Sequence, residues 1–179
     1  MLLDAAGELM RESGYASVTS RRLAAKAGLK PQLIHYYFRT MDDLFLALFR
    51  RVEDDLVRRQ NAVVGAEKPL RALWDLISDR QDVALAYEFV ALANHRAAIR
   101  EEIARFGDKF RKAQIKILDQ ILAKSGVDTR VWPPTFVSVL INSLARSLAV
   151  QDALGAKLGH PEALAIINRF IDQVDKGSN

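Results

Sequence analysis

Along almost the whole chain apolar residues recur at spacings of three and four rather than two, a period that admits helices and leaves little room for strands. The first run is Leu2, Ala5, Ala6, Leu9 and Met10, followed by Gly14 where a helix-ending glycine belongs. Thr19 caps a short helix reaching Ala27, and Gly28-Leu29-Lys30 reads as a tight turn. Pro31 opens a third helix, ending near Phe38, at the first-turn position where its missing N–H costs nothing. Thr40-Met41-Asp42-Asp43 is a capping box with Asp in place of Glu, and it starts a long helix with the face Met41, Leu44, Phe45, Leu48, Val52 and Leu56. Further on, Leu70, Leu73, Trp74 and Ile77 mark a short amphipathic helix, and Val83 to Asn94 form one that is apolar on most of its circumference and so is expected to be buried. Ile99 to Ile121 trace a long helix closed by Gly126, Pro133-Pro134 starts another that runs to about Leu154, and a last helix follows Pro161. The expected fold is all-α, with a three-helix head over residues 1–40 joined to a six-helix body over residues 41–179.

Half of the residues are apolar, enough to bury a core, and the lack of cysteine removes disulfides and thiolate metal sites. The longest apolar stretch, Phe136 to Val150, is broken by Asn142, Ser143 and Arg146 and falls short of the roughly 20 residues of a bilayer span. Met1-Leu2-Leu3-Asp4 does not read as a secretory signal, so the expectation is a cytoplasmic protein with no membrane partner. The net charge of +4 is unevenly placed. Residues 17–40 hold Arg21, Arg22, Lys26, Lys30 and Arg39 with no acid, which leaves the rest of the chain slightly negative. Such concentration suggests contact with a polyanion; composition alone leaves a solvated basic face equally open.

The same window has the steric signature of a helix-turn-helix. Ala24 is the small residue where the second helix crosses the first, Gly28 suits a positive φ in the turn, and Leu23, Ile34 and Tyr37 are placed to wedge the pair from beneath. The stretch Leu3-Asp4-Ala5-Ala6, Gly14-Tyr15, Val18-Thr19, Leu23-Ala24, Ala27-Gly28-Leu29, Tyr36-Tyr37-Phe38 and Asp43-Leu44 resembles the N-terminal domain of TetR-family transcriptional regulators. The resemblance covers about Leu2 to Leu48 and implies a double-stranded DNA operator as partner, with the third helix in the major groove of each half-site. It places Thr19 and Ser20 on phosphate, and Arg21 on phosphate or a base edge. Lys30, Pro31, Gln32 and His35 resemble residues that meet bases; Gln32 suits adenine and Pro31 a thymine methyl. Tyr36 and Tyr37 resemble family aromatics, one on phosphate and one partly buried, while Arg39 adds a backbone contact. Three positions depart from the family pattern. Lys30 replaces a serine cap, at a cost of about 1 kcal/mol to the third helix, Leu33 replaces a hydroxyl residue, and Met41 replaces a phosphate-binding lysine.

For the body, the resemblance implies a homodimer in which the last two helices meet their copies through Val137, Leu140, Ile141, Leu144, Leu148, Ile167, Phe170, Ile171 and Val174; the alternative is that this stripe is intrachain core. It also implies a small-molecule effector, with Trp74, Tyr87, Glu88, Phe89, His95, Phe106, Phe110 and Asn142 as candidate pocket residues. The chain has no glycine-rich phosphate loop or nucleophile motif, and His35, His95 and His160 lack metal-ligand spacing, so no metal, cofactor or catalytic residue is assigned. The resulting expectation is a transcriptional repressor released from a palindromic operator by a small apolar or amphipathic ligand. The alternatives are an effector-independent architectural DNA-binding protein and a helical enzyme.

Overall fold

A computed structural model describes residues 1–177. Among the described residues there are nine α-helices and no strand: α1 (Leu2–Ser13), α2 (Ser20–Ala27), α3 (Pro31–Tyr37), α4 (Met41–Ala62), α5 (Pro69–Ser78), α6 (Arg80–Ala93), α7 (Ala97–Lys124), α8 (Pro134–Ala153) and α9 (His160–Gly177). The all-helical class and the helix count match the sequence expectation. None of these helices is long and apolar enough to cross a membrane.

The chain divides into two compact units, Met1–Leu56 with Ala84–Gly107, and Val57–Val83 with the described residues from Asp108 onward. Residues 1–40 do not enclose a core alone. Leu9 and Met10 of α1, Leu23 and Ala24 of α2 and Ile34 of α3 pack with Leu44, Phe45, Leu48 and Phe49 of α4, with Leu85, Phe89 and Leu92 of α6, and with Ile99 of α7. Phe49 meets Phe89 and Phe106 nearly edge-on, with centroids 5.0 and 5.9 Å apart. Glu102 of α7 draws in Arg50 of α4 at 3.0 Å and Arg105 at 2.7 Å. Helix α6 is less buried than its composition suggested, because Leu85, Phe89 and Leu92 form the one face that meets this core while Tyr87 and Val90 are exposed.

The second unit buries Leu70, Leu73 and Trp74 of α5, Leu118 and Leu122 of α7, Val137 and Ile141 of α8, and Ile171 and Val174 of α9. Helix α5 begins at Pro69 behind Lys68, whose side chain makes no capping bond. The buried Asp175 of α9 substitutes: its carboxylate accepts the backbone N–H groups of Leu70 at 2.9 Å and Arg71 at 3.0 Å. Arg71 in turn donates to Asn168 at 2.7 Å and to Asp172 at 3.3 Å, so α9 holds the start of α5 through three of its residues.

Candidate nucleic-acid interface

The reading head is set by its two helix ends. Thr19, in extended conformation, caps α2 by accepting the Arg22 N–H at 3.3 Å. At the other end Gly28 takes a left-handed conformation with φ 67°. Its N–H reaches the Ala25 carbonyl at 3.3 Å, and the Leu29 N–H reaches the Ala24 carbonyl at 2.9 Å. This paired closure is a Schellman turn, and it directs the chain into α3 within three residues. Leu23, Ala24 and Ile34 are fully buried beneath the crossing, as the spacing predicts. Lys30 precedes α3 without a side-chain capping bond, in keeping with its replacing a serine there.

Tyr37 is a correction. It was expected beneath the helix pair but is 61% exposed, and Tyr36 is 79% exposed, their rings meeting edge-on at 5.2 Å. The inward position one turn after Ile34 is taken by Phe38, which packs against the core just as α3 ends. Both tyrosines are therefore open to solvent, as the cations of the head are.

Arg21, Lys30, Pro31, Gln32, His35, Arg39 and Thr19 are exposed, and Ser20 is half-buried. Arg21, Lys30 and Arg39 form no ion pair among the described residues. Lys26 differs: its Nζ lies 3.1 Å from Glu8 and 2.9 Å from Glu12 on α1, and these carboxylates raise its pKa. It braces α2 on α1, which reduces the outward-facing positive charge. The Arg22 guanidinium is likewise engaged with α1, donating to the Ser13 hydroxyl at 3.3 Å on the surface. Behind the head, Thr40 and Asp43 exchange side-chain and backbone bonds of 2.9 and 3.1 Å, the expected capping box, so α4 starts at a fixed angle after Arg39. Met41 packs against the core.

The eight candidate pocket residues are divided between the two units. Phe89 lies in the core of the first unit and Phe106 packs against it, while Tyr87 and His95 are exposed. Glu88 accepts the Tyr15 N–H at 2.6 Å beside Gly14, and so fastens the α1–α2 connection. Trp74, Phe110 and Asn142 belong to the second unit. That unit has a cavity of about 100 Å³ lined by Val64, Ala66, Glu67, Pro69, Ile117, Gln120, Ile121 and Lys124, which includes none of the eight. The unit also holds polar residues that the sequence reading passed over: Gln60, Gln114 and Ser138 are all buried. The signal for the two glutamines was their position, since Gln60 follows Leu56 by one turn and Gln114 lies between Phe110 and Ile117 on apolar stripes.

Of the nine residues expected at a dimer face, Val137, Ile141, Ile171 and Val174 are buried within the second unit, and Leu140, Leu144, Leu148, Ile167 and Phe170 are half-buried. The outward side of α8 is the opposite one, with Phe136 at 50% and Val139 at 48% exposure and Ser143 and Ser147 between them and the helix end.

Known proteins resemble the chain in both its head and its fold. Residues 2–48 match the family model for bacterial regulatory proteins of the TetR family. A fatty acid metabolism regulator protein of Bacillus subtilis (strain 168) is 24% identical over 146 residues, 73% of each chain. The HTH-type transcriptional regulator BetI of Brucella anthropi is 38% identical over 78 residues, 43% of this chain and 40% of its own length. A crystal structure of the transcriptional regulator FadR from Bacillus subtilis, in complex with stearoyl-CoA, has the same fold with a TM-score of 0.66 at 17% identity, covering 98% of this chain and 97% of that one. Residues 2–48 thus match the DNA-binding head of TetR-family regulatory proteins, and the helices that follow share the fold of these solved regulators.

Proposed function

We propose that the chain is a homodimeric, cytoplasmic repressor whose grip on a palindromic operator is loosened by a small apolar or amphipathic effector. In this reading residues 1–40 read DNA and the remainder carries the effector site and the dimer contact. The single observation that carries it is the surface of α2 and α3, where Arg21, Lys30, Gln32 and Arg39 project with two exposed tyrosines and no carboxylate between residues 17 and 40. Two α3 helices reading successive major grooves need two heads, and the outward apolar side of α8 supports pairing of two copies. An amphipathic effector is supported by the solved FadR relative, which holds stearoyl-CoA.

The transmitting element in this reading is α4. It starts one residue behind the head, gives Leu44, Phe45, Leu48 and Phe49 to the first core, and gives Gln60 to the second unit. An effector that shifts α4 changes the separation of the two heads. A coupling of about 1 to 3 kcal/mol lowers operator affinity roughly 5- to 150-fold. Footprinting on DNA flanking the protein's own gene, repeated with candidate metabolites, tests the proposal. Protection of a two-fold symmetric site that is lost on adding one compound is expected. Protection that no compound alters favours an architectural protein, and no protection at all overturns the reading.

A further inference from the structure

Helix α3 puts little of itself into the core. Of its seven residues only Ile34 is buried, and the other six are exposed. It contains no Lys, Arg, Asp or Glu; the nearest cations stand at its two ends, Lys30 before it and Arg39 after it. Its exposed surface is neutral and in part apolar, with Leu33 38%, Tyr36 79% and Tyr37 61% exposed. These three are neighbours, because helical residues three and four apart stand over one another. Ile34 and Phe38 form the corresponding pair on the inner side, Ile34 within the core and Phe38 packed against it. Leu33 is one residue out of that phase. Its N–H closes the first turn on the Lys30 carbonyl at 3.0 Å, so the helix is already formed where Leu33 leaves it.

A single exposed leucine is ordinary on a protein surface. Here it continues into two exposed tyrosines on the helix assigned above to the major groove, and few groups of a duplex suit it. A phosphate oxygen needs a hydrogen-bond donor or a positive charge, and against leucine it would lose water without gaining either. Base edges in the major groove carry donors and acceptors, and one apolar group, the C5 methyl of thymine. The common grip on guanine through Arg or Lys is not available from within α3. Cytosine would set its amino group against leucine with no acceptor to meet it.

We propose that Leu33 is a specificity-determining residue that reads thymine through its C5 methyl, so that each operator half-site presents a thymine to the outer side of α3. The inference rests on the DNA-reading role proposed for the head and deepens it by naming one base and the group by which it is recognised. Methyl and leucine leave water together, whereas any other base in that place sets a polar edge against Leu33. Removing the methyl alone lowers affinity about fourfold. The cations at the ends of α3 hold the backbone on either side and carry no share of this preference.

The test starts from a pool of duplexes with a randomised centre, from which the full chain selects its preferred operator by repeated binding. Each thymine of that operator is then replaced singly by deoxyuridine, which removes the C5 methyl and keeps every base-pairing group. Wild type, Leu33→Ala and Leu33→Met are titrated against each duplex by fluorescence anisotropy. One thymine per half-site is expected at which uracil weakens wild type about fourfold, leaves Leu33→Ala unaffected, and again weakens Leu33→Met, whose side chain is still apolar. The readout is a ratio between two duplexes bound by one protein, so a variant that is merely less stable does not imitate it. Uracil tolerated at every thymine, uracil effects that Leu33→Ala retains at every sensitive thymine, or effects that Leu33→Met loses would overturn the proposal and leave the DNA-reading role standing on the selected operator. A pool from which no duplex is enriched overturns both.

Discussion

Arg21 and Gln32 stand near the starts of α2 and α3, both exposed, and neither is drawn into an internal contact. In the proposed reading Gln32 meets a base edge and Arg21 a base edge or phosphate, so replacing either with alanine is expected to cost about 1 to 3 kcal/mol at the cognate operator, and for Gln32 little on unrelated DNA. Arg39 stands past the end of α3, and its loss should weaken all sequences alike and reduce the slope of log affinity against log salt by about one. Anisotropy titrations across salt concentrations separate the two patterns. Glu102 supports a prediction of another kind. The Arg105 guanidinium, and after it Arg50, holds its carboxyl below the ordinary carboxylate range. A depressed folded-state pKa gives stability that is present above the unfolded value and is lost as the pH falls through the folded one. Urea midpoints of wild type should therefore decline on acidification through that range, and Glu102→Gln should lower the midpoint at neutral pH and flatten the decline. A wild-type-like acid limb in the variant would remove Glu102 from the account.

At the scale of elements, α5 depends on a cap it does not carry. Asp175→Asn removes the charge that meets the Leu70 and Arg71 N–H groups, and a loss of about 1 to 3 kcal/mol in denaturant unfolding is expected. Adding Lys68→Ser gives α5 a cap of its own and should recover about 1 kcal/mol. No recovery would mean that Asp175 acts through packing rather than capping. The same helix shows what a sequence can and cannot convey. Pro69 and the Leu70, Leu73, Trp74 stripe announced α5, just as Thr19, Gly28 and Pro31 announced the reading head, because caps and periodic faces are local. Asp175 capping α5 from 105 residues away, and Glu88 holding Tyr15 from 73 away, have no local signature. Glu88 and Phe89 were placed near a ligand for that reason, since a polar or aromatic residue on an apolar helix looks alike whether it meets a cavity or a distant turn. Tyr37 failed differently: α3 ends there, and the inward place passed to Phe38.

At the scale of the whole molecule, the proposed dimer contact turns on which side of α8 is already used. Helical spacing puts Val137, Ile141, Ala145 and Leu148 on one side, and the chain's own core occupies it, with Val137 and Ala145 each 1% exposed. Phe136, Val139, Ser143 and Ser147 lie opposite, where an apolar surface ends in small residues that let a second helix come close. If two copies pair through this outer side, a charge at its centre separates them without disturbing the fold. Val139→Glu should sediment as a monomer with an unchanged melting temperature, bind an isolated half-site as wild type does, and lose affinity for the full operator because the two heads are no longer linked. Val137→Ala tests the inner side: it should keep the association state and lower stability by about 0.5 to 3 kcal/mol as a core truncation. Were Val139→Glu to remain dimeric while Val137→Ala dissociated, the inner stripe would be the interface after all, and the half-site argument would have to be rebuilt on a chain that opens its core to pair.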